Sequence, residues 1–501
     1  MTPSTMSNLT YHAAQRFGDR RAITMVHGQS VRFSELDILV GHFAGILTHR
    51  GVKRGERVVL YAPNGLDWII AYHAIARIAA VVVPANILLS ASEVAFITKD
   101  SGARLVITSK RHRDALNDAI PKADRAEYLL LDAGEEEAGL PNLRHGPSVL
   151  PQSCDPEDLL AICYTSGTTG QPKGAMTTHK AVIGSTAATA TTHVRTDQDR
   201  ILTALPFPHV YGNVVMNASL LAGSELLIME RFDPAQALAA IESHRATLFE
   251  GVPTMYYQML GEPTMANTDF SSLQRCTVGG QTMPVSALQE VEARFGCPVL
   301  ELWGMTELAG PAVTHSPYWP VRHGTIGLPF PGMQVRIVSL DGSRSELAPG
   351  VAGELCIRGP LVTKGYWRRP EATAEAIDAD GWLATGDVAI ADEGGYLQIV
   401  DRLKDMIITA GYNIYPAELE QAIAAHPAVA MVAVASVKDD EKGELAKAFV
   451  VLRPGMTCSA DELLSLCRQS LASYKVPRLI AFVDDLPKTS TGKIMRRSLV
   501  S

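Results

Sequence analysis

Aromatic residues are scarce in this chain of 501 residues: Phe, Trp and Tyr together make up 6%. So thin a supply excludes the platform of stacking rings that grips single-stranded nucleic acid. A basic surplus is lacking too, since 45 Lys/Arg stand against 53 Asp/Glu for a net charge of −8. That balance excludes a general nucleic-acid or anionic-membrane binder. The seven cysteines, Cys154, Cys163, Cys276, Cys297, Cys356, Cys458 and Cys467, are scattered, with no C-x-x-C pair and no His/Cys spacing of a zinc site. A disulfide framework is therefore excluded, and buried thiols in a reducing cytoplasm are expected. Long apolar runs are absent as well. The most apolar stretch, Trp68 to Leu89, is broken by His73, Arg77, Pro84 and Asn86, so no integral membrane segment is expected. Met1 to Leu9 shows no basic region followed by an apolar run, so no secretory signal is expected and the expected location is cytoplasmic.

What is present is a chain of globular balance, 47% hydrophobic and 20% charged. Its length suits roughly two to four domains. Short apolar runs such as Arg57–Tyr61, Ala80–Val83, Arg104–Thr108, Leu226–Met229 and Pro298–Leu302 alternate with stretches of helical spacing such as Pro234–His244 and Ser286–Phe295. Strand–helix alternation predicts an α/β fold of layered, mainly parallel sheets. From about Gly327 the texture changes to short strands with Gly-rich turns, which predicts a β-rich subdomain over about 327–401. Beyond Asp401–Asp405 the pattern predicts a compact α+β module: strand, helix (Pro416–Ala425), strands (Val429–Ser436, Ala446–Leu452), helix (Ala460–Leu471), then a basic tail. The expected division is thus a body, 1–401, and a small mobile domain, 402–501. Charge follows it: 13 Lys/Arg against 11 Asp/Glu in the small part, 32 against 42 in the body. A slightly basic module on an acidic body suits meeting an anion.

The strongest local signal is Tyr164-Thr-Ser-Gly-Thr-Thr-Gly-Gln-Pro-Lys-Gly174, which follows the apolar Leu159–Cys163. Glycines let backbone N–H groups converge on an anion, Ser/Thr hydroxyls add donors, and Lys173 adds a point charge. It is no Walker A loop, because Pro172 and Gly174 flank the lysine where that motif needs Gly and Ser/Thr. The segment resembles the phosphate loop of the adenylate-forming superfamily, which includes acyl-CoA synthetases, peptide-synthetase adenylation domains and beetle luciferases. Six further segments resemble that family's motifs in order: Pro206–Gly212, Val278–Pro284, Leu302–Glu307, Thr385–Val388, Asp401–Asp405 and Pro487–Lys493. The resemblance spans essentially the whole chain.

The resemblance implies an AMP-forming ligase. A carboxylate attacks the α-phosphorus of ATP and expels pyrophosphate, a reaction carried by positioning and charge neutralisation. It implies that Thr165, Ser166, Gly167, Thr168, Thr169, Gly170 and Lys173 hold the β- and γ-phosphates. Thr306 would bond the α-phosphate and Glu307 would hold Mg²⁺, a hard cation suited to oxygen ligands. Gly280, Gln281, Leu302, Trp303 and Gly304 would flank the adenine; Trp303 stands where Tyr is usual, and either ring can stack. Gln281 stands where many relatives carry Ala. Asp387 and Arg402 would hold the ribose, and Lys493 would bridge the carboxylate and α-phosphate. Lys404 takes the hinge position, about which the small domain would turn to present Gly411 to CoA. The acyl pocket would draw on His209, placed with the catalytic group, and on Tyr211, Val252, Tyr256, Gly280, Met305, Leu308, Ala309 and Gly310.

These pocket residues are largely apolar. Leu302 stands where malonyl-CoA synthetases have Arg, so a hydrophobic monocarboxylate, aliphatic or aryl, is expected. His209 and Tyr211 either pair with a ring hydroxyl or simply wall the pocket. A carrier-protein thiol is the alternative acceptor to CoA. No Asp for a substrate amino group occurs in Pro208–Gly212, which weighs against a peptide-synthetase domain. The expected partners are thus the acid, ATP and CoA, with no nucleic acid; a homodimer stays open.

Overall fold

The computed structural model describes residues 5–120, 126–132, 148–165, 172–409, 412–439, 443–489 and 493–499. Two large sheets occupy the first part of the chain. One has six strands in the order Glu127–Leu130, Leu105–Thr108, Arg57–Leu60, Val81–Pro84, Leu159–Thr165 and Lys173–Thr178. All neighbours in it are parallel except the last two, which form an antiparallel hairpin. The other has nine strands. From Val299–Met305 through Arg275–Gly279, Leu248–Gly251, Arg200–Thr203 and Glu225–Ile228 to Arg21–Met25, its neighbours run parallel. Val81–Pro84 is buried along its whole length, which is why it reads as an unbroken apolar run rather than an alternating one; Leu248–Gly251 is equally buried but carries Glu250 within it. Both sheets feed one core, packed around helix Leu66–Arg77, where Trp68, Ile69, Ile70 and Ala71 are fully buried.

The predicted change of texture is a separate antiparallel sheet, ordered Gln334–Val338, Gly353–Arg358, Leu383–Ala391 and Leu397–Arg402. A last sheet is built from Ile407–Thr409, Tyr412–Ile414, Val429–Asp439 and Gly443–Leu452, with helices Pro416–Ala424 and Ala460–Ser470 on its core. The second helix starts with a capping box, in which Ser459 and Glu462 each satisfy the other's main-chain N–H. The basic tail contains an unpredicted strand, Leu479–Phe482, parallel to Gly443–Leu452. It is an edge strand, half exposed throughout, so it lacks the alternation that marks a strand with one buried face. All seven cysteines are free. None of the described helices is long and apolar enough to cross a membrane.

Thr165, Val252, Gly280 and Thr306 all stand at or just beyond the carboxyl ends of parallel strands. Open α/β sheets keep their ligands there. Beneath that edge the core holds two ion pairs: Arg195 with Glu250, both fully buried, and Arg275 with Asp199 at 2.9 Å. Glu250 also accepts from Thr277, whose Oγ1 meets the Tyr211 hydroxyl at 2.6 Å. Glu250→Ala leaves the Arg195 guanidinium buried without its partner, so it should cost about 3–5 kcal/mol. Chemical denaturation should show that loss as a lower midpoint, whereas Glu157→Ala, at an exposed pair with Lys180, should leave the midpoint nearly unchanged.

Candidate active site

Ser166, Gly167, Thr168, Thr169, Gly170 and Gly411 lie outside the described residues. The base of the loop is well placed: Thr165 pairs with Lys173 across the hairpin, and its Oγ1 donates to the Lys173 carbonyl at 3.4 Å. The Lys173 ammonium lies 5.5 Å from the centre of the Tyr366 ring. Tyr366 in turn donates to Glu307 Oε1 at 2.8 Å. Strand Lys173–Thr178 is bridged to this segment at Ala175 and Tyr366, and the Glu307 carbonyl accepts from Thr363 N at 2.7 Å. Loop base, Tyr366 and Glu307 therefore form one unit. Tyr366 was not foreseen; nothing in Gly365-Tyr-Trp-Arg-Arg sets it apart, and only the cross-chain bridge reveals its place.

Gly304 follows Trp303 where the strand meets Gly310–Thr314. A Cβ there would lie 2.1 Å from the Gly310 carbonyl oxygen, so only glycine lets these strands pair. The turn Thr306–Leu308 follows, closed by Ala309 in the left-handed region at φ 55°. Thr306 is half-buried and Glu307 buried. On the same strand the Trp303 indole N–H donates to Asp387 Oδ2 at 2.8 Å, while Arg402 Nε lies 3.2 Å from Oδ1. Burial pushes the Asp387 carboxyl up, against the pull of Arg402 and the indole N–H. Trp303 itself is 9% exposed, and its indole N–H fixes the Asp387 carboxylate.

Lys493 reaches this cluster from the far end of the chain. A Cβ on Gly280, which holds φ 91°, would lie 3.1 Å from Lys493 Cε and 3.5 Å from Val252 Cγ1. Lys493 and Val252 thus lie over the same glycine, and the lysine ammonium feels the charge of Asp387. Burial, with the charge of Arg402, pulls it down to about 8; Asp387 pulls back and Lys404 adds to the fall. Lys404 is exposed. The Gln281 side-chain amide bonds both main-chain groups of Ile494.

On the acyl side, His209 caps helix Val210–Ala222, its Nδ1 accepting from Tyr211 N at 3.4 Å. Burial and the Lys493 charge hold this imidazole down to about 3, so it is neutral near pH 7 and suited to positioning rather than to carrying a proton. The Tyr211 hydroxyl is taken by Thr277, which leaves the ring to wall the pocket. Two expected lining residues are withdrawn into the core. Tyr256 is fully buried, packs on Phe249 and Phe295, and donates to the Thr277 carbonyl at 2.6 Å. Leu308 is fully buried under the third sheet. Leu302 is also buried, over Gly279, where a Cβ would lie 2.4 Å from its Cδ1. Val252 lies beside Gly280; half-buried Met305 precedes the Thr306 turn, and Ala309 and Gly310, both buried, follow it.

The family model described as AMP-binding enzyme matches residues 10–367, and that described as AMP-binding enzyme C-terminal domain matches residues 418–493. The chain belongs to the AMP-binding enzyme family, the adenylate-forming superfamily of acyl-CoA synthetases. It is 35% identical over 538 residues to long-chain-fatty-acid–CoA ligase of Bacillus subtilis, spanning 99% of this chain and 94% of that one. It is 37% identical over 486 residues to feruloyl-CoA synthase of an Amycolatopsis species, spanning 95% and 96%. ATP-bound MatB from Rhodopseudomonas palustris superposes with a TM-score of 0.90 at 31% identity, covering 98% of each chain.

Trp303→Phe removes one hydrogen bond to a charged acceptor, worth about 1.5 kcal/mol or more. KM for ATP should therefore rise roughly tenfold, with KM for the acid and the melting temperature little changed. Steady-state kinetics with each substrate varied in turn, alongside a melting curve, checks it.

Proposed function

We propose that the chain is an ATP-dependent acid–CoA ligase for a hydrophobic monocarboxylic acid. One observation carries the reading: Lys493, half-buried, lies over Gly280 together with Val252, and its ammonium feels the charge of Asp387. A cation held there faces both the α-phosphate of an ATP whose ribose rests on Asp387 and a carboxylate whose chain rests on Val252. The carboxylate oxygen attacks the α-phosphorus and pyrophosphate leaves; the CoA sulfur then attacks the acyl carbon and AMP leaves. Lys493 stabilises charge that grows at the α-phosphate in the first step. Lys173, with the Ser/Thr/Gly loop ahead of it, holds the outgoing phosphates. Between the steps the small domain, 402–501, turns about Lys404, withdrawing Lys493 and bringing up Gly411.

Glu307 fits a magnesium ion. It is a single buried carboxylate held by Tyr366, beside the phosphate loop, and among the described residues no group of three or more His, Cys, Asp or Glu could make an all-protein cage. Such a donor set suits a cation that keeps water and phosphate oxygens as its other ligands. When bound, the ion neutralises phosphate charge. The apolar Val252, Met305, Ala309 and Gly310, with Leu302 buried in place of a cation, support a monocarboxylate over a dicarboxylate. The names of the relatives, one a long-chain fatty-acid ligase and one a feruloyl-CoA synthase, support testing aliphatic and aryl acids together. Seven free cysteines support a reducing, cytoplasmic setting.

The test is a panel of acids with ATP, Mg²⁺ and CoA. A productive acid should yield thioester, AMP and pyrophosphate one for one; stoichiometric ADP would refute the reading. The pH dependence has a defined sign. Lys493 works as its ammonium and loses the proton near pH 8 in the free enzyme, so kcat/KM for adenylation should be full below that pH and decline above it. Pyrophosphate exchange from pH 6 to 10 checks this, and Lys493→Arg should remove the decline.

A further inference from the structure

Gln281 follows Gly280 directly, and its side chain meets the residue that follows Lys493. Gln281 Nε2 donates to the Ile494 carbonyl at 3.3 Å, and Oε1 accepts from the Ile494 N–H at 2.9 Å. One side-chain amide thus makes both bonds that a residue of a neighbouring strand would make. The tail's hairpin explains why those groups need a partner. Thr489 N donates to the Lys493 carbonyl at 2.6 Å and Met495 N to the Pro487 carbonyl at 2.8 Å. The main-chain groups of Lys493 and Met495 therefore point into the hairpin, while those of Ile494 point out, as on any strand edge. One further contact joins the tail to the body, Arg496 Nη1 to Asp401 Oδ1 at 2.9 Å where the two domains meet, and Arg496 also holds Glu420 of its own domain. The remaining contacts between the domains fall elsewhere. Arg453 forks onto Glu290 at 2.7 and 3.1 Å, and Val285 and Ser286 bond Gln421 and Ala424. Those dock the domain on helix Val285–Phe295 and touch no residue of the tail.

We propose that Gln281 is a positioning residue for adenylation: its amide holds Ile494 and so sets Lys493 over Gly280. Consecutive residues of the body, Gly280 and Gln281, hold consecutive residues of the tail, Lys493 and Ile494. Gly280 supplies the space and Gln281 supplies the register, because a slip of one residue would present the wrong main-chain groups to the amide and turn the lysine to the other face. The bonds join the body to the small domain, so they exist in only one of its two settings and break when it turns. The inference rests on the reading of Lys493 as the adenylation lysine.

Gln281→Ala removes both bonds and leaves the lysine itself unaltered in the sequence. Two neutral hydrogen bonds predict that acyl-adenylate formation in single turnover, with ATP and acid but no CoA, slows at least about tenfold. KM for ATP should stay within about twofold, and thioester formation from supplied acyl-adenylate should keep its wild-type rate. Gln281→Glu keeps the acceptor for Ile494 N–H but sets a carboxylate against the Ile494 carbonyl; it should slow adenylation as much and equally spare the second half-reaction. A rise in KM for ATP at unchanged kcat would make Gln281 an adenine contact and overturn the proposal. Equal slowing of both half-reactions, or no slowing in either variant, would also overturn it. Lys493→Ala run in parallel separates the two claims. If it is deficient in adenylation while both Gln281 variants are not, the clamp alone fails; if it is not deficient, the reading beneath the clamp fails.

Discussion

The half-buried ammonium of Lys493 is the constraint around which the rest of the molecule is arranged. Taking a lysine out of water is costly unless an opposite charge compensates. Here the compensation is partial: Asp387 attracts it, but Arg402 and Lys404 repel it, and its proton is held less tightly than usual. Asp387 is itself shared with Arg402 and the Trp303 indole. Positive charge thus exceeds negative where Lys493, Arg402 and Lys404 converge. Such a site favours an anion, and the triphosphate of ATP together with a carboxylate supplies that charge.

Holding so strained a charge pattern needs rigid supports, and each is a specific contact between layers. Trp303 joins the nine-stranded sheet to the antiparallel sheet through Asp387. Tyr366 joins the phosphate loop base to Glu307, and Asp100 holds that segment by accepting from Tyr164 at 2.6 Å and Arg369 at 2.7 Å. Under the acyl wall, Tyr211, Thr277, Glu250 and Arg195 form a buried chain. Gly304 lets two strands pair at close range, and Gly280 leaves room for the Lys493 side chain. The polar groups are carried at strand ends, where a small shift of the sheets would move several together.

Much of this was legible in the sequence because the motifs are contiguous. The parallel strands announced themselves as apolar runs, since burial on both faces leaves no alternation. The segments around Lys173, Glu307, Asp387 and Lys493 were recognisable by local residue type and order. What escaped was contact between distant segments: Gln281 with Ile494, Trp303 with Asp387, Tyr366 with Glu307. No local pattern announces a partner 213 residues away. Tyr256 and Leu308 show the converse, since their apolar character suited a pocket and the core equally, and packing decided for the core. Leu479–Phe482 was missed because an edge strand buries too little to impose a period.

The central claim is that one lysine serves one half of the reaction, and single-turnover kinetics of the two halves in Lys493→Ala test it most directly. Adenylate formation should fall roughly 10²–10³-fold, the scale of one electrostatic contact made chiefly in the transition state. Conversion of supplied acyl-adenylate to thioester should proceed at close to the wild-type rate. Equal loss of both half-reactions, with circular dichroism and melting unchanged, would contradict the account.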